Sequence, residues 1–551
     1  MHASEDRGDD DGKREQDGAA CDGRQLEPHG KFRAGALRDD WRGEVVRPSV
    51  ASLESGASES YGARSPADKR RESLSELTTR IAFAFSQAGG AMGQAGGVDG
   101  LMVGVSGIRG RVGDALTPEV MARYAAAFGA WSIANNPSRA IVVGRDSRVS
   151  GPMFHRIVVG TLQLVGCDVI DIGLTTTPGC QLAVEHHHAA GGLMLSASHN
   201  PIEWNALKCI GSSGLFLEAS EGAAMRALVD TGTPHATWDR IGAVTQDDDA
   251  ARRHIEAVLA IPYVDVEAIR ARRFRVALDC VRGAGATIMP ALLERLGCTV
   301  SGLNMEPDGR FPREPEPTAA NLRDFERFVV ESRAEIGFAV DPDVDRLALV
   351  SDEGHAIGEE YTLALAARLV LRHRKGTVVT NLSSSLLMDD AAREAGVEVV
   401  RAKVGEVNVA VRMRELGSPI GGEGNGGVIL PEVHLGRDAP IGAALLLQLL
   451  VEEGRPLSAI VAGLPKYVIV KDKLDRPNAS LDTVYAALRS AFPDATVDTQ
   501  DGLRLSWADR WVHIRPSGTE PIVRVIAEAP DEGAARELVR RSREPLDALD
   551  G

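Results

Sequence analysis

The chain has 551 residues, 44% hydrophobic and 25% charged, an ordinary globular balance at a length that suits three to five domains. A net charge of -16 argues against a nucleic-acid partner, because phosphate backbones select basic surfaces; a small phosphorylated substrate needs only a local cluster of basic side chains and amides. No apolar run approaches the roughly 18 residues of a membrane span, and Cys21, Cys167, Cys180, Cys209, Cys280 and Cys298 show no CxxC spacing, so they read as free thiols in a reducing cytoplasm.

Residues 1–98 are dominated by charge, Gly and Ser, with sparse aromatics. Such a segment cannot bury enough apolar surface to offset its ordering entropy. It opens Met1-His2-Ala3-Ser4-Glu5-Asp6 without a basic lead into an apolar stretch, which argues against a secretory signal, and its acids argue against a transit peptide. Leu74 to Ala88 is compatible with a helix, which the Gly-rich stretch from Gly89 to Gly100 breaks. Two readings stand for this region: a disordered extension, or translation from an upstream start.

From about Val103 the pattern becomes α/β, with short apolar runs that end in Gly, Asp or Ser loops and then give way to helical periodicity. Ile141-Val142-Val143-Gly144 ends in Arg145-Asp146-Ser147-Arg148. Val276 to Asp279 ends in Val281-Arg282-Gly283-Ala284-Gly285, and Thr377 to Thr380 ends in Asn381-Leu382-Ser383-Ser384. This predicts mostly parallel or mixed sheets covered by helices, with ligands beyond the carboxyl ends of strands. The last 85 or so residues differ: Leu503 to Trp507, Trp511 to Arg515 and Ile522 to Glu528 read as neighbouring strands, and Asp531 opens a final helix. That is a smaller α+β domain.

The chemistry-bearing residues fall in separate loops. Ser106-Gly107-Ile108-Arg109-Gly110 sets an arginine between glycines. His186-His187-His188 is read as a solvated helix end, since successive residues do not share a helix face. Leu195-Ser196-Ala197-Ser198-His199-Asn200-Pro201 sets a hydroxyl beside an imidazole and an amide, and Lys208 follows ten residues after Ser198. A serine hydrolase would want Gly-x-Ser-x-Gly at a strand-to-helix elbow; here the neighbours are Ala197 and His199.

Asp341-Pro342-Asp343-Val344-Asp345-Arg346 follows the apolar run Ile336 to Val340. Its three carboxylates suit a hard cation such as Mg²⁺; a solvated acidic turn is the other reading. An EF-hand is disfavoured because Arg346 and Asp352 stand where its Gly and Glu belong. Gly421-Gly422-Glu423-Gly424-Asn425-Gly426-Gly427 lacks the Lys-Ser/Thr of a nucleotide-binding loop; Glu423 suits two vicinal sugar hydroxyls, and a mobile turn is the alternative. Ile514-Arg515-Pro516-Ser517-Gly518-Thr519-Glu520-Pro521, with Arg524 beyond, has the composition of a phosphate cradle: Arg515 and Arg524 for charge, Ser517 and Thr519 for hydroxyls, Gly518 for close amide approach.

In this order, from about Val103 to the C-terminus, the motifs resemble the α-D-phosphohexomutase superfamily. The resemblance implies three mixed-sheet α/β domains plus a C-terminal α+β domain around a central cleft, each giving one loop to the site. The expected boundaries are 99–250, 251–354, 355–463 and 464–551. It further implies that Ser198 is a phosphoserine, that Asp341, Asp343 and Asp345 hold Mg²⁺ with a phosphoserine oxygen, and that Glu423 contacts the sugar. Arg109, His199, Lys208 and Arg346 match positions around the reacting phosphoryl group, Lys403 a substrate-contacting position, and the runs 144–148 and Pro315-Glu316-Pro317 further family positions. The implied chemistry is phosphoryl transfer between two sugar positions through a hexose bisphosphate, in a monomer or homodimer that takes a hexose phosphate and no membrane partner.

The Ser196 to Pro201 loop is more similar to phosphoglucosamine mutases than to phosphomannomutases. The sugar loop departs from the usual Gly-Glu-x-Ser-Gly-His, with Asn425 and Gly427 where Ser and His are common, and with His434-Leu435-Gly436-Arg437-Asp438 following is similar to archaeal-type phosphoglucosamine mutases. The missing loop histidine leaves a donor to be supplied, and His434 is the expected replacement. A phosphomannomutase/phosphoglucomutase is the near alternative. A catalytically dead sugar-phosphate binder is the remote one, and it would be expected to lose the serine or a carboxylate.

Overall fold

The computed structural model describes residues 100–476, 479–517 and 522–550; the helix expected at Leu74 to Ala88 lies outside them. The described residues fall in one compact unit, built on four sheets that follow one another along the chain.

The first sheet has the order β1-β2-β6-β5-β3-β4-β7, from β1 (Met102–Gly104), β2 (Gly107–Arg111), β3 (Ala140–Arg145), β4 (Asp168–Leu174), β5 (Gly191–Leu195), β6 (Trp204–Gly211) and β7 (Val244–Gln246). Its β5-β3-β4-β7 half is parallel and its β1-β2-β6-β5 half antiparallel. The second has the order β11-β10-β8-β9, from β8 (Arg275–Asp279), β9 (Thr299–Leu303), β10 (Ile336–Val340) and β11 (Leu347–Ser351). The third runs β13-β12-β14-β15-β16, from β12 (Val378–Asn381), β13 (Val399–Ala402), β14 (Gly421–Glu423), β15 (Gly427–Leu430) and β16 (His434–Arg437). The fourth, β17-β21-β20-β19-β18, is antiparallel throughout and contains β17 (Val468–Asp475), β18 (Thr496–Asp498), β19 (Leu503–Ser506), β20 (Trp511–Pro516) and β21 (Ile522–Ala529). The three strands expected near the C-terminus are β19, β20 and β21, and the final helix is Glu532–Asp550.

Local signals explain the helices that support the site. Thr176 caps the helix Thr177–His186 by accepting from Gly179 N (3.0 Å), with Pro178 in its first turn. His187 ends that helix and pairs with Asp247 (2.8 Å), while His186 and His188 are exposed, a solvated helix end. Asp438 caps Ala439–Glu453 through Ile441 N (2.9 Å). That helix is buried over its first three turns, and its leucines join the core shared by the second and third sheets.

The functional loops depart from the strand–loop–helix grammar. The loops 196–203, 341–346, 424–426 and 517–521 each connect antiparallel neighbours: β5 to β6, β10 to β11, β14 to β15, and β20 to β21. Each leaves the carboxyl end of a strand, as expected, but returns at once into the same sheet. A short hairpin limits its tip far more than a crossover does.

Candidate active site

Ser198 follows β5 in left-handed backbone (φ 46°), a conformation that costs a non-glycine residue on the order of 1–2 kcal/mol and persists only when its surroundings over-determine it. Arg148 supplies that constraint. Its guanidinium is fully buried: Nη2 donates to the carbonyls of Ser198 and Asn200 (both 2.6 Å), Nη1 to those of Pro201 (2.7 Å) and Trp204 (2.8 Å), and Nε to Asp146 Oδ2 (3.2 Å). Ser196 Oγ accepts from Ser198 N (2.9 Å).

The Asp341–Arg346 loop is the tip of the β10–β11 hairpin, whose strands are buried throughout. Asp341, Asp343 and Asp345 are all buried, with one oxygen from each lying within 4.8 Å of the others. Solvated acidic turns do not look like this. Val344, a β-branched residue at φ 67°, turns the loop so that alternate carboxylates converge. Ser198 Oγ donates to Asp341 Oδ2 (2.6 Å). Asp343 Oδ1 and Asp345 Oδ1 are buried with no hydrogen-bond partner among the described residues. Three buried carboxylates with oxygens this close, two of them carrying an oxygen without a hydrogen-bond partner among the described residues, fit a small hard cation.

The neighbouring residues set the charge balance. Lys208 Nζ bonds Asp343 Oδ2 and Thr177 Oγ1 (3.2 Å) and lies 3.7 Å from Asp345 Oδ2. Thr177 also donates its hydroxyl to Asp343 Oδ2 and its amide to Asp343 O (2.9 Å). Burial disfavours ionisation of Asp343, but Lys208 and these hydrogen bonds outweigh it and hold the carboxyl below the usual range. Asp341 is pushed well above that range by burial and by the charges of Asp345 and Asp343. Burial also works against charging Lys208, and Asp343 and Asp345 more than offset it.

His199 Nδ1 lies 3.4 Å from Ser198 Oγ. Burial, then the Arg346 and Arg109 cations, depress its pKa well below the ordinary imidazole value, which keeps it neutral. Arg109 Nη1 donates to Asn200 Oδ1 (3.3 Å), and Arg346 pairs with Glu316 (3.0 Å) while its amide donates to Asp341 Oδ1 (3.2 Å). Ser198, His199, Arg109, Lys208, Arg346 and the three aspartates therefore form one connected cluster.

The Gly421–Gly427 loop is anchored and largely buried, unlike a solvated turn. Gly422 (φ 148°) lies so close to β15 that a Cβ there would meet Gly427 O at 2.0 Å, and Gly424 N donates to Ser384 Oγ (3.1 Å). Glu423 accepts from Asn381 Nδ2 and Gly405 N (both 2.9 Å) through Oε1, and from Arg437 Nη1 (2.8 Å) through Oε2. Burial opposes its charge, but Arg437 and these donors keep it ionised. Asn425 Oδ1 is buried with no hydrogen-bond partner among the described residues.

His434 does not supply the missing donor. Its Nε2 bonds Asp438 Oδ2 (2.9 Å), and its Nδ1 accepts from Gly436 N (3.1 Å). Asp438 Oδ2 is shared with His254 Nε2 (2.6 Å), so both ring nitrogens of His434 are spent in a buried histidine–aspartate–histidine cluster.

Of the phosphate loop, Gly518 and Thr519 lie outside the described residues. Ser517 N donates to Ile522 O (2.8 Å) at its neck, and Arg515 lies opposite Arg524 across the β20–β21 pair. Asp501 Oδ2 lies 3.3 Å from Arg515 Nε and accepts from Val404 N (3.1 Å), which brings Lys403 and Arg515 to adjoining segments. Gly405, one residue on, holds Glu423. A continuous chain of contacts thus joins the Asp341–Arg346 loop to Arg515 through Arg437, Glu423, Gly405, Val404 and Asp501.

Four family profiles match in succession: phosphoglucomutase/phosphomannomutase α/β/α domain I over residues 100–235, domain II over 252–354, domain III over 358–467, and the C-terminal domain over 467–544. The chain belongs to the phosphoglucomutase/phosphomannomutase family. It is similar to a probable phosphoglucosamine mutase of Methanopyrus kandleri (41% identity over 78% of this chain and 94% of the relative). It is also similar to a phosphoglucomutase/phosphomannomutase of Thermococcus kodakarensis (39% identity, 78% and 95%). Among solved structures, a family member from Burkholderia thailandensis superposes with a TM-score of 0.71 at 28% identity, over 81% of this chain and 96% of that one.

As a phosphohexomutase the protein is an isomerase of carbohydrate metabolism whose substrate is a sugar phosphate. Among its described residues no helix is long and apolar enough to cross a membrane. Four residues tied into this site were not singled out by sequence: Thr177, Arg148, Glu406 and Arg437. The Thr175-Thr176-Thr177-Pro178 run has the composition of a helix start, and the 144–148 run carries a family resemblance without a role. Nothing local marks where most of the Arg148 donors go, because four of its five bonds reach carbonyls fifty or more positions away.

Proposed function

We propose that the protein interconverts glucosamine-6-phosphate and glucosamine-1-phosphate through a phosphorylated Ser198 and a bisphosphate intermediate. The observation that carries this reading is the Ser198 Oγ to Asp341 Oδ2 contact (2.6 Å) beside the two unmatched oxygens of Asp343 and Asp345. A phosphoryl group on Ser198 would carry about -1.5 to -2 charge at the point where carboxylates, Lys208, Arg109 and Arg346 converge. Asp341, Asp343 and Asp345 would hold Mg²⁺ there, and the ion would offset phosphoryl charge.

In the first half-reaction the bond from phosphorus to Ser198 Oγ breaks as a bond to the sugar hydroxyl oxygen forms. The hydroxyl proton passes to Ser198 Oγ by way of Lys208, with His199 and Arg109 beside it. The bisphosphate then turns over in the site, and Ser198 Oγ takes the other phosphate by the reverse exchange. Glu423 and Asn425 orient the sugar, while Lys403 and the Arg515, Ser517, Gly518, Thr519 and Arg524 loop hold the phosphate that is not reacting. Positioning and charge stabilisation dominate such transfers. The free, buried state of Cys167, Cys180, Cys209, Cys280 and Cys298 supports a cytoplasmic setting.

The amino sugar is favoured by the Methanopyrus relative and by others named probable phosphoglucosamine mutase, such as that of Methanosarcina acetivorans. The second reading, a phosphomannomutase/phosphoglucomutase, has the nearly equal similarity of the Thermococcus relative. Isomerisation of glucosamine-6-phosphate, mannose-6-phosphate and glucose-6-phosphate, each with Mg²⁺ and a trace of hexose bisphosphate, separates them. The highest kcat/KM on the amino sugar supports the proposal, and a preference for the neutral sugars overturns it.

A further inference from the structure

Gly427 stands where the family loop commonly carries a histidine, and the space that a side chain there would take is filled. A Cβ on Gly427 would meet Arg437 Cδ at 2.2 Å and Arg437 Cγ at 2.9 Å. The register explains why. Arg437 pairs with Ile429 across β15 and β16, and Ile429 lies two residues from Gly427, on the same face of its strand. Arg437 is therefore the diagonal neighbour of the glycine, and its stem folds across the open position.

From there the guanidinium reaches three buried carboxylates: Nη1 donates to Glu423 Oε2 (2.8 Å), Nη2 to Asp345 Oδ2 (2.7 Å) and Nε to Glu406 Oε2 (3.0 Å). Its amide donates to Glu406 Oε1 (3.2 Å), so strand and side chain are fixed together. The two ends of this fork do different things. At Glu423 it holds the carboxylate in one orientation and ionised. At Asp345 it bonds Oδ2, which leaves Oδ1, buried without a hydrogen-bond partner among the described residues and 3.7 Å from Arg346 Nε, as the oxygen open to a cation.

We propose that Arg437 is a positioning residue that fills the volume vacated at Gly427, aims Glu423 at the hexose and restricts Asp345 to one-oxygen coordination. This rests on the mutase reading for the hexose, but not for the metal. One-oxygen ligation suits Mg²⁺, which is small and octahedral, whereas Ca²⁺ accepts two oxygens of one carboxylate and a larger ligand number. The guanidinium thereby links sugar orientation to metal choice, although it touches neither.

The test uses Arg437→Met and Gly427→Ala in the full chain. Mg²⁺ and Ca²⁺ binding are measured by titration calorimetry without sugar, and KM and kcat are measured on the best hexose phosphate. Arg437→Met is expected to raise the Ca²⁺/Mg²⁺ affinity ratio at least fivefold, because Asp345 gains its second oxygen, and to raise KM at least tenfold. Gly427→Ala keeps every charge, and its backbone is not in the left-handed region; its Cβ displaces chiefly the Arg437 stem and presses more lightly on Asn425 Oδ1 at 3.1 Å. It should move both quantities in the same direction by smaller factors, and its ion ratio, which Asn425 does not touch, decides the metal half alone if Arg437→Met does not fold. A general loosening of the site would weaken both ions together. An unchanged ratio in the folded variants, or an unchanged KM, overturns the proposal. A wild-type protein that turns over no hexose phosphate refutes the mutase reading, while the ion ratio still tests the metal half.

Discussion

Replacing Arg148 by Met removes the five donors that hold the serine loop, four of them directed at backbone carbonyls of residues 198–204 and one at Asp146. Charge-assisted bonds contribute about 1.5–3 kcal/mol each in isolation, but they are lost as a unit, and breaking a buried pair costs about 3–5 kcal/mol in total. At roughly 2–4 °C per kcal/mol for a domain of this size, apparent melting should fall by roughly 10 °C. The catalytic consequence is separate. Ser198 at φ 46° has no reason to keep that conformation once its carbonyl is released, and a displacement of about 1 Å at a reacting atom lowers the rate about 100-fold. Scanning calorimetry and steady-state turnover of a hexose phosphate test the two parts. Arg148→Lys gives the control: an ammonium restores the charge beside Asp146 but cannot reach all four carbonyls, so stability should recover more than kcat. If Arg148→Met melts within about 1 °C of wild type and keeps its kcat within twofold, the guanidinium is not what shapes the loop.

Ser198→Ala should lower turnover by at least about 10³-fold with the fold kept, since the loop bond from its amide to Ser196 Oγ remains; wild-type turnover would end the phosphoserine mechanism. Asp343→Asn should raise the Mg²⁺ concentration for half-maximal rate by about 10–100-fold, and chelation should abolish wild-type activity until Mg²⁺ is returned; an identical magnesium titration would contradict the metal assignment. Acid should destabilise the fourth domain through His513, which burial lowers to about 4 and whose ring bonds Ser383 Oγ (2.8 Å) and Asp501 O (2.6 Å). Between the unfolded value near 6.5 and the folded value, only the unfolded chain binds the proton. Stability therefore falls as pH drops through that window, by about 2 kcal/mol at pH 5, and His513→Gln should flatten the dependence measured by denaturant titration.

The chemistry of the site was legible wherever it is carried by composition. Three aspartates at alternate positions after an apolar run, a serine beside a histidine, and arginines around a Ser-Gly-Thr turn are local patterns, and each lies at the end of a strand that the apolar periodicity also marks. The hairpin form of those loops was less legible, because β6, β11 and β15 have no helix between them and their predecessors, and a run such as Gly427–Leu430 is too short for its period to be read. Arg148 and Arg437 were the hardest. An arginine in a sequence reads as a surface charge unless its acceptors are known, and here those acceptors lie on other strands and turns. His434 shows how this misleads: an imidazole close to the sugar loop is the natural candidate for a missing donor, yet Asp438, four residues on, and His254, from a distant helix, draw it into the interior. What sequence does show is the absence, a glycine at 427 where a side chain is usual. The pairing of Ile429 with Arg437 then identifies the neighbour that can fill it, because the missing side chain leaves both a volume to be packed and a buried carboxylate, Glu423, that needs a cation. One arginine on the adjacent strand meets both requirements, whereas a histidine folded back toward Asp438 meets neither.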